Sequence, residues 1–408
     1  MPQLKKIAVI HDSVEARGGA TGLARLSALE YRKRGYAVSY LTGEGSEDEE
    51  LIGAGIEIVG LGQAKLAASG ALKAMSSGFH NASAQSMIAN WIAEHDTPET
   101  VYHLHNWAQI LSPSVFNALE PVAERTVVSC HDFFNVCPNG GLLNFRTGQA
   151  CQLKPMSAAC WASQCDRRSP AHKYWRMARH LRLSSLADFK HSTMTFVCLN
   201  AGMERVMRDA GFPAPRLTNI PNPATAFSDQ RIQAESNRTF LFAGRLNREK
   251  GADLAASAAS DAGVELVMAG EGDLAAALAQ QYPQIEFAGF CTRDRLASLV
   301  RNARALIVPG RWREPFGLVM AEAALSGVPV LVSEPSTLAS DIDRLGIGRS
   351  FDPASETALT SLLTTLAKDD ELVRTFSQNA FAHAPKICST TDAWVDGFIS
   401  LFEQSLSC

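Results

Sequence analysis

The stretch REPFGLVMAE at positions 313–322 decides the fold, because it joins a strand-like segment to a helical one through a glycine turn. The apolar run ALIV at 305–308 precedes it and predicts a strand. Glu314 is therefore expected in the loop at the carboxyl end of a strand, where ligands bind in open α/β sheets. Glu322 falls about two turns into the following helix, within reach of a second part of the same ligand.

The start of that predicted helix offers a second binding feature. The backbone N–H groups of Phe316, Gly317 and Leu318 lie at its positive end and lack intrahelical acceptors. Such groups suit a polyhydroxylated or anionic ligand.

Strand and helix patterns alternate along the rest of the chain, which predicts parallel sheets built from βαβ units. A glycine pair and a helix follow the first predicted strand, and Pro and Asn residues with a polar tract at 221–238 separate two series of strands. The predicted strands are 7–10, 38–41, 56–59, 101–104, 126–129 and 195–199, then 239–243, 265–268, 285–287, 306–308 and 330–332.

Bulk composition is that of an ordinary globular protein. With 408 residues, 46% apolar and 20% charged, the chain is expected to form two domains. A net charge of −4 argues against nucleic-acid binding. No apolar stretch approaches the ~20 residues of a membrane span. The first residues lead directly into a strand without a signal peptide, so we expect a cytoplasmic protein.

Three further signatures precede the 313–322 stretch, namely FAGRL at 242–246, EKG at 249–251 and MAGEG at 268–272, and AALSGVPV follows it at 323–330. Together they resemble the motifs of retaining GT-B-fold glycosyltransferases, in particular glycosyltransferase family 4, also called glycosyl transferases group 1. The resemblance covers nearly the whole chain. It departs from the family after 330–332, where SEPST stands in place of a paired glycine followed by Pro-Glu, so the resemblance does not extend to that loop.

The resemblance implies an α/β protein with two Rossmann-like, doubly wound parallel-sheet domains that face each other across a cleft. Residues 1–221 would form the acceptor-side domain, with a cysteine-rich insertion at about 137–170. Residues 222–385 would form the domain that binds a nucleotide-sugar donor. In the family, a helix such as 386–408 crosses back to the first domain; the alternative is a helix that caps its own domain.

The implied donor site has a cationic part and an acidic part. Arg245, after Gly244, and Lys250 would hold the donor phosphates; otherwise they are surface residues. Glu314 would accept hydroxyls of the transferred sugar, and Glu322 those of the nucleotide ribose, unless Glu322 serves only in a salt bridge. The remaining residues assigned to donor binding are Gly18, Gly19, Gly270, Glu271, Phe316, Gly317 and Leu318. Gly18 and Gly19 resemble the family's glycine-rich loop, and the alternative is a simple tight turn that opens a helix.

Histidines follow two predicted strands of the first half. By its place after a strand, His131 corresponds to the family histidine that orients a sugar hydroxyl, although a lone histidine beside aromatic residues is often structural. His105 either lines the acceptor side or hydrogen-bonds a loop. The implied catalytic set is thus His131, Arg245, Lys250 and Glu314, with no cofactor required for catalysis.

A cysteine cluster and a basic stretch lie in the insertion and after it. Cys137, Cys151, Cys160 and Cys165 are either ligands of a structural zinc or buried thiols. The basic residues of 167–182, interleaved with Tyr174 and Trp175, form either a solvated helix or a surface that touches anionic lipid or a lipid-diphosphate acceptor. The second alternative would place the protein peripherally at the inner face of the cytoplasmic membrane.

The sequence therefore predicts a hexosyltransferase that transfers a hexose, with retention, from a UDP- or GDP-hexose to a glycan or lipid-linked acceptor in bacterial-type surface polysaccharide synthesis. The alternatives are a GT-B sugar-nucleotide epimerase and a non-catalytic nucleotide-sugar-binding protein. The sequence does not specify the sugar, the base, the linkage, the acceptor or the oligomeric state.

Overall fold

The computed structural model describes residues 3–15 and 18–407. The chain forms two compact units. The first comprises the residues up to Gly140, Leu153–Ile220 and the segment from Asp392 onward, and the second comprises Gly141–Gln152 and Pro221–Thr391. The short segment Gly141–Gln152 thus belongs to the second unit although first-unit segments flank it in sequence.

The strands fall into two parallel sheets and one short hairpin. In chain order they are β1 Lys6–His11, β2 Ala37–Thr42, β3 Glu57–Gly60, β4 Thr100–Leu104, β5 Thr126–Ser129, β6 Leu143–Asn144, β7 Gln149–Ala150, β8 Thr195–Cys198, β9 Leu217–Asn219, β10 Thr239–Ala243, β11 Leu266–Ala269, β12 Glu286–Gly289, β13 Ala303–Val308, β14 Val330–Ser333 and β15 Gly348–Phe351.

The helices connect these strands and cover the sheets. They are α1 Gly19–Lys33, α2 Glu49–Gly53, α3 Ala71–Phe79, α4 Ala82–His95, α5 Ser114–Leu119, α6 Ala158–Ala162, α7 Pro170–Leu186, α8 Ala201–Asp209, α9 Ala252–Ala262, α10 Ala275–Gln281, α11 Arg293–Arg301, α12 Leu318–Leu325, α13 Ala339–Leu345, α14 Ala358–Lys368, α15 Asp370–His383 and α16 Thr391–Ser405.

Each unit is built on one parallel sheet. The first sheet has the order β3-β2-β1-β4-β5-β8-β9 and the second the order β12-β11-β10-β13-β14-β15. Their central strands are buried along their length, as in Ile7–Ile10 of β1, because helices cover both faces of parallel sheets. In both sheets the strand order changes direction next to the strand that comes first in sequence, β1 or β10. Open α/β proteins bind ligands at such a switch point. Strands β6 and β7 form a separate antiparallel hairpin.

The C-terminal helix α16 packs in the core of the first unit. Its Trp394, Phe398 and Phe402 belong to the same buried cluster as Ile7 of β1 and Tyr31 of α1. The rings of Phe402 and Tyr31 meet edge to face, with 5.6 Å between their centroids. Aromatic residues at helical spacing thus anchor the end of the chain to the sheet that contains its beginning.

The acidic run at 47–50, whose composition predicts a solvated loop, is mostly exposed but includes the start of α2. Asp48 is the N-cap of α2 and accepts a hydrogen bond from the Leu51 N–H at 3.0 Å. The buried Arg25 of α1 pairs with Asp48 and, at 2.6 Å, with Glu50. The run thus both starts a helix and pairs with a buried guanidinium, a partner that local sequence does not reveal.

No helix in residues 3–15 and 18–407 combines the length and apolar character that crossing a membrane requires.

Candidate functional site

In the second unit, the loops after β10 and β13 bring a lysine and a glutamate together. These strands pair in parallel, with Leu241 opposite Leu306, so the loops that follow them leave the sheet at the same edge. The Lys250 Nζ donates to Glu314 Oε2 at 2.5 Å, and the Trp312 Nε1 donates to the same oxygen at 3.0 Å. The ammonium also lies 4.8 Å from the centre of the Trp312 ring.

Backbone geometry fixes both residues in place. Gly251 has φ of +72°, and a Cβ there would stand 2.0 Å from the Pro309 carbonyl oxygen, so only glycine permits this approach of the two loops. On the β13 side, the Thr337 hydroxyl donates to the carbonyls of Glu314, at 3.1 Å, and Pro315, at 2.7 Å. The Lys250–Glu314 contact therefore rests on a rigid frame.

Arg245 lies in the same loop as Lys250, and its side chain is exposed. Within residues 3–15 and 18–407, no carboxylate lies within ion-pair distance of its guanidinium. An exposed and unpaired guanidinium is available to bind an anion in a bidentate manner.

Strand β11 brings a third loop to this edge. The Gly270 N–H donates to the Gly289 carbonyl at 2.7 Å, and a Cβ at Gly270 would stand 1.9 Å from the Gly244 carbonyl oxygen. Glu271 is exposed beside it, and its carbonyl accepts the Leu246 N–H at 2.8 Å. The predicted residues Gly244, Gly270 and Glu271 thus share one backbone junction.

Glu322 of α12 forms an ion pair in this structure. Its Oε1 accepts from the Arg293 Nη1 at 2.8 Å, and Arg293 also donates to the Thr225 carbonyl at 2.9 Å. Burial raises the pKa of Glu322, and the Arg293 guanidinium opposes that rise. The ion pair spans α11 and α12 and is not a contact within one helix.

The predicted helix end lies at the start of α12. Gly317 is its N-cap with φ of +83°, and Phe316 is buried. In the described part of the chain, the N–H groups of Phe316, Gly317 and Leu318 have no hydrogen-bond acceptor.

In the first unit, four histidines form a connected group at the carboxyl ends of β1, β4 and β5. The His131 Nε2 and His105 Nδ1 are hydrogen-bonded at 2.8 Å, with the rings stacked at 5.1 Å. His103 is bonded to the Ser129 hydroxyl at 2.8 Å. Burial, assisted by the proximity of His11, lowers the pKa of His131 to about 3, so His131 is neutral at pH 7.

The same unit holds the glycine pair at the start of α1. Gly18 is the N-cap of the helix, with φ of +109°, and Gly19 is its first residue. The helix begins just beyond β1, as the sequence predicts for a glycine-rich loop.

The predicted zinc ligands do not lie in one group. Cys151 belongs to the second unit, whereas Cys137, Cys160 and Cys165 belong to the first. The Cys137 thiol donates to Asn139 Oδ1 at 3.3 Å, and the Asn139 amide donates to the Cys165 sulfur at 3.8 Å. Across the described ranges, no cluster of three or more His, Cys, Asp or Glu side chains could hold a metal ion. The cysteines do not fit a zinc site in this arrangement, and the zinc stays a prediction.

The basic stretch after the cysteines is not simply a solvated helix face. Lys173 is buried, and its ammonium donates to the carbonyls of Cys160, Trp161 and Ser163 around the end of α6. Arg179 is buried as well and donates to the Ala108 carbonyl at 2.7 Å. Sequence reasoning missed this burial because it depends on packing against other segments, the end of α6 for Lys173 and the loop after β4 for Arg179.

Sequence reasoning also missed Trp312 and Arg293. Trp312 stands between Arg311 and Arg313, two positions before Glu314. The aromatic residue at that position was the only local signal for it. Arg293 gave no signal, since the Glu322 contact joins two separate helices.

Comparison with known proteins gives a family match in the second unit. Residues 225–383 match the model of the glycosyl transferases group 1. An uncharacterized 42.6 kDa protein from the cps region of Klebsiella pneumoniae is 24% identical over 58% of this chain and 58% of its own length. An uncharacterized glycosyltransferase of Methanocaldococcus jannaschii is 33% identical over 24% of this chain and 28% of its own length. The chain thus matches less than two thirds of the length of either relative.

Two solved structures share the fold over nearly the whole chain. Sucrose-phosphate synthase from Thermosynechococcus elongatus superposes with a TM-score of 0.71 at 16% identity, covering 98% of both chains. Anabaena Alr3699/HepE in complex with UDP-glucose gives 0.63 at 16% identity, covering 98% of this chain and 99% of its own. The chain therefore has the GT-B fold of two parallel-sheet α/β domains, and its residues 225–383 match the family model of the glycosyl transferases group 1.

Proposed function

We propose that this protein is a retaining hexosyltransferase of glycosyltransferase family 4. It transfers a hexose from UDP- or GDP-hexose to a glycan or lipid-linked acceptor in the synthesis of a surface polysaccharide. The observation that carries the proposal is the contact of Lys250, Glu314 and Trp312 at the sheet edge that also bears Arg245. The UDP-glucose complex of the Anabaena protein, which has the same fold, supports the class of donor.

The charges at this edge match the charges of the reaction. When the bond between the anomeric carbon and the diphosphate breaks, negative charge grows on the leaving phosphate and positive charge on the sugar. Fixed cations such as Arg245 and Lys250 stabilise the phosphate, and the unbonded N–H groups at the start of α12 add to this. The carboxylate of Glu314 accepts hydroxyls of the sugar.

The anomeric configuration is retained because the acceptor attacks the anomeric carbon from the same face that the leaving group departs from. The acceptor oxygen forms the new bond to the anomeric carbon as the bond to the phosphate oxygen breaks, and the acceptor proton passes to that phosphate. Because its imidazole is neutral, His131 donates a hydrogen bond to a sugar hydroxyl or accepts one from it. It does not supply charge.

Slow donor hydrolysis without acceptor tests the proposal. We expect Lys250→Ala to reduce the rate by roughly 10²–10³-fold, since it removes a charge that acts on the leaving group. Lys368→Ala removes an exposed lysine of α14 in the same unit and serves as the control. Circular dichroism checks folding. A Lys250→Ala rate close to that of the unchanged protein would refute the assignment.

A thermal-shift screen with UDP-, GDP- and ADP-sugars identifies the donor. A ligand that binds the native state at about 100 times its Kd stabilises it by about 2.7 kcal/mol, which is readily measured. Only the correct base and sugar should give a shift that Lys250→Ala reduces.

A further inference from the structure

A cavity of about 460 Å³ lies within the first unit and is separate in sequence from the donor loops. Its walls come from α7, from the segment after β3 and from the loop after β4. This volume is in the range of small-molecule sites. Its lining includes four cations, Lys65, Arg168, Arg176 and Arg179, and no acidic residue among the side chains that the structure describes there.

Two of these cations have acidic partners outside the lining. The Lys65 ammonium lies 3.3 Å from Glu44 Oε1, and the Arg176 Nε lies 3.1 Å from Asp166 Oδ2. Arg168 and Arg179 have no carboxylate within ion-pair distance in residues 3–15 and 18–407. The cavity therefore carries an excess of positive charge.

Arg179 is the residue that most clearly points to a ligand. Only 7% of it is exposed, its Nε has no hydrogen-bond partner, and its guanidinium lies 5.2 Å from the centre of the Trp107 ring. Burial lowers the pKa of Arg179 to about 10, although Asp12 and Asp132 favour its charged form at longer range. The Arg179 Nη2 donates to the Ala108 carbonyl at 2.7 Å, but no carboxylate among the described residues pairs with it. A buried cation without an anionic partner is costly, and a bound anion would reduce that cost.

The sequence of α7 explains how the cations face one cavity. His172, Trp175, Arg176 and Arg179 follow the i, i+3, i+4, i+7 spacing of one helix face. Arg168 precedes the helix and lies 3.4 Å from His172 Nε2. Guanidinium groups bind phosphate oxygens in a bidentate manner, and an indole offers a flat apolar surface to a sugar ring or a hydrocarbon chain.

We propose that this cavity binds a phosphate ester through Arg168 and Arg179, with Trp175 against the group that carries the phosphate. On the proposed function, that ester belongs to the acceptor, which is then either a phosphorylated saccharide or a lipid phosphate. The two sources share the same recognition chemistry.

Direct binding tests the cavity without reference to activity. Glycerol 3-phosphate is titrated by calorimetry into the Lys250→Ala protein, in which the loop after β10 keeps Arg245 but has lost the other cation assigned to the donor phosphates. Arg168→Gln and Arg179→Met, each added to that protein, should weaken binding about tenfold or more, because each removes a charge-assisted contact. Arg205→Gln removes an exposed arginine of α8 and should leave the affinity unchanged.

A lipid source is tested with phosphatidylcholine vesicles that contain or lack phosphatidate. Co-sedimentation that needs phosphatidate and is lost in Arg168→Gln supports a lipid phosphate, whereas binding of glycerol 3-phosphate alone with the same loss supports a soluble ester. Absence of both, or affinities that neither cavity variant changes, would overturn the proposal.

Thermal unfolding distinguishes a binding role of Arg179 from a structural one. Without phosphate, Arg179→Met should change the melting temperature little, since removal of a buried charge that has no carboxylate partner in the described ranges offsets the lost hydrogen bond to the Ala108 carbonyl. A lower melting temperature together with unchanged phosphate affinity contradicts the binding role. If Arg179→Met does not fold, the exposed Arg168 carries the test. Donor hydrolysis by the unchanged protein decides the proposed function separately.

Discussion

Glu314 and Lys250 neutralise each other in this structure, and a bound donor must redirect both side chains. Lys250 would turn to the phosphate and Glu314 to the sugar hydroxyls. The pair is mostly buried, with 25% and 10% of the two side chains exposed, so each charge stays oriented until the ligand replaces its partner. The two charges are therefore predicted to serve different parts of the donor.

Glu314→Gln separates these two parts. The neutral amide keeps the size of the side chain but releases Lys250 from its ion pair, so the affinity for the nucleoside diphosphate should hold or increase. Turnover of the sugar nucleotide should fall by at least about tenfold, because a charged acceptor of hydroxyl hydrogens is lost. Calorimetry and donor hydrolysis measure the two quantities, with Glu334→Gln as an exposed control. Parallel loss of both would contradict the division of roles.

The histidine group makes the folded state sensitive to acid. Burial lowers the pKa of His103 and His105 well below the usual 6.5 and that of His131 to about 3. Between pH 6.5 and 3 the unfolded chain binds protons that the folded chain does not. Their contribution to stability is therefore complete above pH 6.5 and is lost as the pH falls through that window.

We expect the free energy of unfolding to fall by up to about 1.4 kcal/mol per pH unit for each such histidine. Urea denaturation at several pH values between 7 and 4 measures this slope. His131→Gln should make the slope shallower by one histidine, whereas His191→Gln, an exposed control, should not change it. A slope identical in His131→Gln and the unchanged protein would contradict the neutral buried state.

At the scale of elements, the short helix α2 depends on one residue for two contacts. Asp48 caps the helix and pairs with the buried Arg25 of α1, so it links two elements that local propensity would leave separate. Removing it leaves the buried Arg25 with only the exposed Glu50 as a carboxylate partner among the described residues, and it leaves the helix end uncapped.

Asp48→Ala should therefore lower the free energy of unfolding by about 2–4 kcal/mol, more than a lost cap alone would cost. Glu49→Ala, one position further on and exposed, should change it by less than about 0.5 kcal/mol. Chemical denaturation of both variants measures the difference, and equal effects would show that the Arg25 contact contributes little.

The strands also show which secondary-structure elements can be predicted from the sequence. Strands such as β1 and β10 were predictable because apolar residues fill them and a glycine turn follows. Strands β9, of sequence LTN, and β15, of sequence GRSF, were not predicted, since short polar strands look like loops. They form because the neighbouring strand already supplies the hydrogen-bonding edge.

At the scale of the whole molecule, the ordered motifs predicted the GT-B fold and the place of Lys250 and Glu314. They did not predict Trp312 against Lys250 or the buried Arg179. The motifs consist of residues that follow strand ends in sequence. The contacts of Trp312 and Arg179 depend instead on packing between separate segments, which no motif describes. The cavity of the first unit is invisible in sequence for the same reason.

The arrangement of the cysteines does not decide whether the chain contains a metal, so its metal content has to be measured. The proposed reaction relies on fixed cations, so extensive dialysis against EDTA should leave donor hydrolysis within about twofold, because no metal is needed to bind the diphosphate. Elemental analysis of protein purified without chelator tests the structural zinc: close to one equivalent of zinc per chain would support it, and a trace amount would remove it. Lost hydrolysis that added metal restores would refute metal independence.

The hairpin of β6 and β7 has a practical consequence for anyone who exchanges parts between related enzymes. It is coded between Gly140 and Leu153, yet it packs with residues of the second unit, where Gly148 lies against the side chains of Arg248 and Arg311. A chimaera cut only at positions 220 and 391 would join the rest of the second unit from one parent to a hairpin from the other. An exchange of the second unit between relatives should therefore include residues 141–152. Otherwise an inactive chimaera could result from the mismatched hairpin and would not test the exchanged loops.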